Sequence, residues 1–237
     1  MTSETIVLLT TAATIGFIHT VFGPDHYIPF IVISKARKWS LIKTGIITFF
    51  CGIGHVLSSV ILGFIGIGLG ISILKLKSVE SFRGGISAWL LIIFGFTYFI
   101  WGIHRMMRNR PHSHVHIHED GEDHSHTHTH IESHTHFHGD SNYINMTAWV
   151  LFIIFVFGPC EPLIPLLMYP AAEGSVASII MVAIVFGLTT IGTMLSLVLL
   201  FHKLLKPNFM KKIERYSQPM AGLTILLCGI AIIFFGL

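Results

Sequence analysis

The residues best able to do chemistry lie inside an apolar stretch near the N-terminus, where the sequence reads HTVFGPDHYIPF. His19, Asp25 and His26 supply two imidazoles and one carboxylate there. A charged side chain at the centre of a membrane helix costs about 2.5–3.5 kcal/mol and normally faces the protein interior or a water-filled path. Imidazole nitrogens and carboxylate oxygens both ligate metals, so the segment is a candidate metal site. The alternative is a buried packing histidine beside a structural Asp–His pair.

The spacing of these residues makes a break in the helix necessary for a shared ion. In an unbroken helix His19 and His26 would lie about 10 Å apart along the axis, at 1.5 Å per residue. Metal–nitrogen bonds are only about 2 Å long. Pro24 lacks an N–H and clashes with the carbonyl four residues earlier. The Gly23–Pro24 step therefore predicts a break that frees the carbonyl of Thr20 and folds the chain back.

A third histidine, His55, occurs in the next apolar stretch, within GIGHVLSS. Taken alone, such a histidine is more often a hydrogen-bonded packing residue than a ligand. Two or three imidazoles together with one carboxylate favour a borderline transition metal, because neutral imidazole suits nickel, cobalt, zinc and copper. Asp25 would either ligate the ion or hold an imidazole in its ligating tautomer, a role that metal sites commonly require.

The second half of the chain repeats the break as VFGPCEPLIPL, with Pro159 predicted to free the carbonyl of Phe155. Cys160 stands where the first half has Asp25, and Glu161 follows it. Glu161 could ligate a metal, carry a coupling proton or pair with a polar neighbour. The sequence leaves these roles open, and it leaves open whether Cys160 is a ligand. Both are kept as candidate metal-site residues.

Between the two halves, the segment from His104 to Asp140 holds twelve of the sixteen histidines. They alternate with Ser, Thr, Asp and Glu, so no apolar face is available for burial, and we expect an irregular cytoplasmic segment that chelates divalent metals loosely. The alternative is a solubilising spacer. The candidate loop ligands are His112, His114, His116, His118, His124, His126, His128, His130, His134, His136 and His138.

The composition indicates that a membrane positions these groups. The chain is 52% hydrophobic and 11% charged, and its mean hydropathy is +0.73, which is far from a soluble domain. A spanning helix needs about 20 apolar residues. Six segments qualify: Thr5–Ser34, Leu41–Ile73, Gly84–Ile103, Ile144–Met168, Val176–Phe201 and Pro219–Leu237. The first is predicted to be a retained span and not a signal peptide, because no Lys or Arg precedes it.

Basic residues predict the orientation, because Lys and Arg favour cytoplasmic loops. Three connections are rich in them, and they share one side of the membrane if six helices are present. Only Lys75, Lys77 and Arg83 lie on the other side. The prediction is a multi-pass protein of the cytoplasmic (inner) membrane with both termini outside and the histidine-rich loop in the cytoplasm.

The two halves align with each other at their Phe-Gly-Pro steps, and paired glycines recur in the third and sixth segments. The predicted organisation is a first three-helix half over residues 1–103, the loop over 104–143 and a second half over 144–237. Because each half has an odd number of spans, the second must be inverted relative to the first. The predicted fold class is therefore all-α, with six transmembrane helices in two inverted repeats whose first helices are broken. In such repeats the substrate site lies where the broken helices meet.

The motifs HTVFGPDH and GHVLSS, together with the histidine-rich loop, resemble the nickel/cobalt transporter superfamily, particularly its urease-accessory-type and efflux-type branches. The resemblance implies that His19, Asp25, His26 and His55 match the metal-recognition positions of that family. Five residues separate His19 from the Asp–His pair, whereas four do in the main permease pattern. The second half also looks like six-span thiol–disulfide electron carriers, which need a redox cysteine in the broken helix of each half. Asp25 fills the first of those two places.

These observations lead to the hypothesis of a secondary transporter, not an enzyme, that moves Ni²⁺ or Co²⁺ across the cytoplasmic membrane, with export slightly favoured over import and Zn²⁺ as a further cargo. The expected partners are the lipid bilayer and the metal ion, with no prosthetic group, no nucleic acid and no indication of oligomeric state. One alternative is an intramembrane thiol–disulfide electron carrier, whose second thiol would have to come from Cys51 or Cys228. Another is an anion exporter of similar topology.

Overall fold

The computed structural model describes residues 3–108, 112–116, 124–128, 140–205 and 214–235. Outside the two strands named below, the described residues form helices and turns. The helices are α1 (Ser3–Phe22), α2 (Ile28–Ala36), α3 (Leu41–Gly68), α4 (Ile73–Arg108), α5 (Asp140–Phe157), α6 (Leu163–Ala172), α7 (Val176–Leu204) and α8 (Ser217–Phe235). Short 3₁₀ turns at Pro24–His26 and Glu214–Tyr216 precede α2 and α8.

Five of these helices, α1, α3, α4, α7 and α8, are long and apolar enough to cross a membrane. Many large apolar side chains on them are exposed in the isolated chain, including Phe50, Phe96 and Leu188. In water such a surface would be unstable, whereas lipid covers it at no cost. The chain is therefore an integral membrane protein.

Proline breaks the first helix of each half, as the sequence predicts. In the first half α1 ends at Phe22 and α2 begins at Ile28; in the second, α5 ends at Phe157 and α6 begins at Leu163. The predicted span from Ile144 to Met168 is therefore two shorter helices. The third predicted span was too short at both ends, because α4 runs from Ile73 to Arg108 and includes the charged residues before Gly84.

Glycines allow α4 and α8 to pack closely along much of their length. A Cβ on Gly222 of α8 would lie 2.6 Å from the Cα of Phe99, and one on Gly102 of α4 would lie 2.6 Å from the nitrogen of Pro219. Small residues let two backbones approach in this way, and it is a common means of helix association in membranes. Elsewhere α1 packs on α7, and α3 packs on both α5 and α7.

The buried side chains form two clusters, one on each side of the breaks. One contains Phe30, Cys51 and Met194, and the other contains Ala12, Cys160 and Phe186. At the start of α3 the hydroxyl of Ser40 caps the helix by accepting a hydrogen bond from the backbone N–H of Lys43. The broken segments lie between these clusters and bring their polar residues together.

Two strands within the loop, β1 (His112–His116) and β2 (His124–His128), pair antiparallel, with His112 opposite His128 and His116 opposite His124. The sequence predicted an irregular segment, and for these ten residues the structure differs. Alternating polar residues can satisfy a backbone ladder without burying a face, which composition alone does not reveal. The remaining predicted loop ligands, His118, His130, His134, His136 and His138, lie outside the described residues.

Candidate functional site

The first break turns the chain so that His26 approaches His19. The amide of Gly23 still donates to the carbonyl of His19, at 3.0 Å, and the amide of His26 then donates to the carbonyl of Gly23, also at 3.0 Å. This tight turn shortens the path between the two histidines. Their ring centroids lie 4.7 Å apart, compared with about 10 Å along an unbroken helix.

His55 of α3 completes a cluster of three imidazoles. Its ring centroid lies 5.0 Å from that of His26 and 6.5 Å from that of His19. One ring nitrogen from each of the three residues lies within 4.8 Å of the others, so the three could ligate one metal ion. His26 and His55 are buried, with 3% and 2% of their surface exposed.

Hydrogen bonds fix the tautomer of two of these rings. Nδ1 of His26 lies 3.1 Å from both the carbonyl oxygen of Gly23 and Oδ1 of Asp25. Nδ1 of His55 lies 3.2 Å from the carbonyl oxygen of Phe155. All three partners are acceptors, so each Nδ1 carries the proton and donates. Nε2 of each ring then keeps a free lone pair, and both Nε2 atoms are buried without a hydrogen-bond partner.

Asp25 therefore lies beside the cluster as the partner of one imidazole. Its Oδ1 accepts the hydrogen bond from Nδ1 of His26, and its side chain is 23% exposed. A carboxylate in this place holds a histidine ring in one orientation. Of the two roles open to Asp25 in the sequence, this contact favours the tautomer-holding one.

The second break places a thiol, that of Cys160, next to the first break. Cys160 is fully buried, and its Sγ lies 3.8 Å from Nε2 of His19, across 141 residues of sequence. The carbonyl of Phe155, which Pro159 was predicted to free, accepts from the His55 ring and from the amide of Gly158 at 3.0 Å. Cys160 and the imidazoles thus meet where the two breaks meet. Glu161, by contrast, is exposed and does not belong to the converging ligand set.

A cavity of about 650 Å³ opens beside this cluster. Its polar lining includes the side chains of His19, Asp25, His26, Ser87 and Glu161. No Lys or Arg lines it among the described residues. Molecules entering the cavity would therefore meet carboxylates, imidazoles and the two neighbours of Cys160 in sequence, Pro159 and Glu161.

Two residues of this site, Glu80 and Arg83 of α4, are not among those that the sequence predicts. In the sequence Arg83 is only a charge outside the predicted spans, and Glu80 has no predicted role. Their carboxylate and guanidinium lie 2.7 Å apart, with side chains 0% and 14% exposed. The usable signal was a Glu and an Arg three residues apart, a spacing that pairs them on a helix, directly before a predicted span.

No curated protein and no solved structure matches the chain significantly. Residues 28–231 match the family model described as "Cytochrome C biogenesis protein transmembrane region". This range covers most of the chain and includes Cys160, whereas His19, Asp25 and His26 precede it. The predicted membership of the nickel/cobalt transporter superfamily is therefore wrong, and so is the predicted function in Ni²⁺ or Co²⁺ transport. Short histidine motifs suggested that family, but the pattern over residues 28–231 belongs to another. This chain is a member of the family of cytochrome c biogenesis protein transmembrane regions.

Proposed function

We propose that the chain carries reducing equivalents by thiol–disulfide exchange within the membrane, in support of cytochrome c biogenesis, and that Cys160 is the exchanging thiol. The family match supports the class of function. The observation that carries the proposal is the 3.8 Å contact between Cys160 Sγ and His19 Nε2. A thiolate, not a thiol, attacks disulfides, and a neighbouring imidazole is the usual group to accept the thiol proton.

The exchange proceeds in three balanced steps and uses an external dithiol as the reductant. His19 accepts the proton of the Cys160 thiol, and the thiolate attacks one sulfur of an incoming disulfide, whose S–S bond breaks as the new S–S bond forms. The leaving thiolate takes up one proton. One thiol of the dithiol then attacks the Cys160 sulfur and releases the partner's second sulfur as a thiol, and the other thiol of the dithiol attacks the new mixed disulfide and releases Cys160. Cys160 is regenerated as a thiol, the incoming disulfide has been reduced to two thiols, and the dithiol has been oxidised to a disulfide.

Cys160 acts in this scheme without a second cysteine of the chain. All three cysteines are free, and Cys51 belongs to a different buried cluster. The place that a second redox cysteine would take in the first half is occupied by Asp25. The mixed disulfide therefore forms with an external partner. Because Cys160 is fully buried, the break around it must open for each exchange, and the adjoining cavity reaches its neighbours Pro159 and Glu161.

Trapping of the mixed disulfide tests the proposal. The purified chain with Cys51→Ser and Cys228→Ser is first loaded with 4,4′-dithiodipyridine and then mixed with a reduced thioredoxin whose second active-site cysteine is Ser. We expect a covalent adduct and release of thiopyridone. A matched chain that keeps only Cys51 is the control. If the Cys160 chain forms the adduct no faster than the Cys51 chain, the proposal fails.

We propose a second activity for the three imidazoles: reversible binding of a divalent transition metal such as Zn²⁺, with no transport implied. Its support is specific. The ligand atoms of His19, His26 and His55 converge within 4.8 Å, and the free Nε2 lone pairs of His26 and His55 are buried without partners. Buried polar atoms without partners are uncommon in proteins, and here their lone pairs are available to a metal ion. Cys160 Sγ, 3.8 Å from Nε2 of His19, is a further donor beside the three. The loop histidines are kept as separate, loosely binding candidates.

We also propose that the chain consists of two inverted halves and that it has a defined orientation in the membrane. The packing of α1 on α7 and of α3 on α5 is reciprocal, as expected of two inverted halves with broken first helices. We propose that the chain lies in the cytoplasmic membrane with both termini outside and residues 104–143 in the cytoplasm. Single cysteines introduced at either end of the chain and in the loop, labelled with an impermeant maleimide in intact cells, test this arrangement. Labelling of the loop position in intact cells would contradict it.

A further inference from the structure

Glu80 and Arg83 lie where α4 passes the second break. Arg83 Nη1 lies 2.7 Å from Glu80 Oε1, and the same guanidinium reaches α3, with Nη2 donating to Ser58 Oγ at 2.7 Å and Nη1 to Ser59 Oγ at 3.3 Å. A charged pair buried within a membrane helix is rare and costly. This pair therefore indicates a task that apolar residues cannot perform.

That task is visible in the contacts of Arg83 with the end of α5. Nη2 donates to the carbonyl of Val156 at 2.8 Å and to that of Gly158 at 3.4 Å. The last carbonyls of a helix have no hydrogen-bond donor within that helix. In lipid there is also no water to donate to them. A guanidinium offers five N–H donors in a fixed plane. Arg83 thus holds the chain just before Pro159.

Glu80 holds the chain just after Pro159. Its Oε1 accepts from Arg83, and its Oε2 accepts from the backbone N–H of Cys160 at 3.3 Å. Gly84, one turn further along α4, lets the helix approach the break, because a Cβ there would lie 2.9 Å from Cγ of Pro159. The ion pair therefore grips both sides of the proline that carries the thiol.

We propose that Arg83 and Glu80 are positioning residues that hold the Cys160 segment so that its thiol faces His19. The purpose of this arrangement rests on the proposed thiol–disulfide function, but the arrangement itself concerns only the reactivity of Cys160. Neither side chain touches the sulfur. Both act through the backbone on either side of Pro159.

The test measures how fast Cys160 reacts with 4,4′-dithiodipyridine in the chain that lacks Cys51 and Cys228. Arg83→Gln removes the guanidinium that donates to the two carbonyls before Pro159. We expect the rate to fall roughly 10- to 100-fold, because misplacing a reacting group by about 1 Å has an effect of this size. Arg83→Lys should remain slow, because a point charge cannot span α3 and two carbonyls. Lys77→Gln, at an exposed position of the same helix, is the matched control and should react like the parent.

A double-mutant cycle separates positioning from general stability. If Arg83 acts by placing the thiol at His19, Arg83→Gln should have little further effect once His19 is Ala, whereas independent effects would multiply. Full rescue by Lys, or multiplicative effects in the cycle, would overturn the proposal. Glu80→Gln, which is nearly isosteric, repeats the cycle if Arg83→Gln does not fold. 4,4′-Dithiodipyridine reacts with the thiol whether or not thioredoxin does, so the two proposals can fail separately. If the chain forms no thioredoxin adduct but Arg83→Gln has little effect once His19 is Ala, the proposed thiol–disulfide function is refuted and the positioning role of Arg83 is supported.

Discussion

Gly23→Ala is the substitution that most directly tests the arrangement of the histidines. A Cβ at this position would lie 2.5 Å from Nδ1 of His26 and 2.8 Å from its Cε1. The backbone of Gly23, with φ −89° and ψ 90°, is accessible to alanine. The new methyl group therefore acts on the His26 ring and not on the local fold. His26 is only 3% exposed but borders the cavity beside the histidine cluster, so we expect its ring to yield toward that cavity.

The size of the effect follows from these distances. Ordinary contact begins at 3.4 Å, so the ring must retreat by about 0.9 Å (3.4 minus 2.5), whereas metal–ligand distances tolerate only about 0.2 Å. The same movement breaks the 3.1 Å contact with Asp25 that holds the ring tautomer. Loss of such an orienting partner alone lowers metal affinity roughly 10- to 100-fold. We expect Gly23→Ala to weaken Zn²⁺ binding by at least that factor.

The assay is competition for Zn²⁺ with a chromophoric chelator at pH 7, on purified protein in detergent. Its background is a chain whose eleven loop histidines, from His112 to His138, are replaced by Asn, so that only the membrane site is measured. Gly85→Ala is the matched control, because Gly85 lines the same cavity and a Cβ there meets nothing within 4 Å. Equal Zn²⁺ affinities of the Gly23→Ala and Gly85→Ala chains would show that His26 is not a ligand.

Three further outcomes are expected. Zn²⁺ should slow alkylation of a chain whose only cysteine is Cys160, because Cys160 Sγ contacts a proposed ligand. It should leave the alkylation rate of a Cys51-only chain unchanged. Equal protection of both chains would contradict the shared site. Gly222→Ala should destabilise the chain by about 1–3 kcal/mol, because the new methyl group overpacks against α4. Gly192→Ala is the control and should have no such effect, because a Cβ at Gly192 meets no atom within 4 Å. Thermal unfolding in detergent compares the two variants, and equal melting temperatures would refute close packing of α8 on α4. Lys35→Met should lower the stability of the chain by about 1.5–3 kcal/mol in the same assay, because Lys35 Nζ donates to the carbonyls of His202 and Leu205 at the end of α7. An unchanged melting temperature would show that these two hydrogen bonds contribute nothing to stability.

The parts of the fold that sequence could predict are those that depend on local chemistry. Both proline breaks occur where predicted, because the missing N–H of Pro24 and Pro159 acts on the carbonyl four residues earlier whatever surrounds it. Gly95 and Gly102, which belong to the paired glycines that the sequence uses only to align the two halves, lie where α4 meets α8 closely. Helix lengths were less accurate. The apolar pattern ends at Gly84, but α4 continues back to Ile73.

The site depended on contacts that no local pattern contains. Arg83 looked like a loop charge because it lies just outside the apolar run, yet it is only 14% exposed and serves two other helices. Cys160 and His19 are far apart in sequence, so their contact could only be expected from the proposed repeat. The family was misassigned because the histidine motifs are short, and the most specific of them, HTVFGPDH, begins before the matched range at residue 28.

The two breaks contribute different chemistry, and this explains how the wrong family could look convincing. The first break gathers imidazoles and a carboxylate, which are metal ligands by type. The second presents a thiol, held by Glu80 and Arg83. The family match includes the second break and its ion pair but begins after the first. The thiol and its proposed positioning residues therefore lie in the part of the chain that matches the family. His19, the proposed proton acceptor and candidate metal ligand, and His26, a second candidate ligand, lie before it.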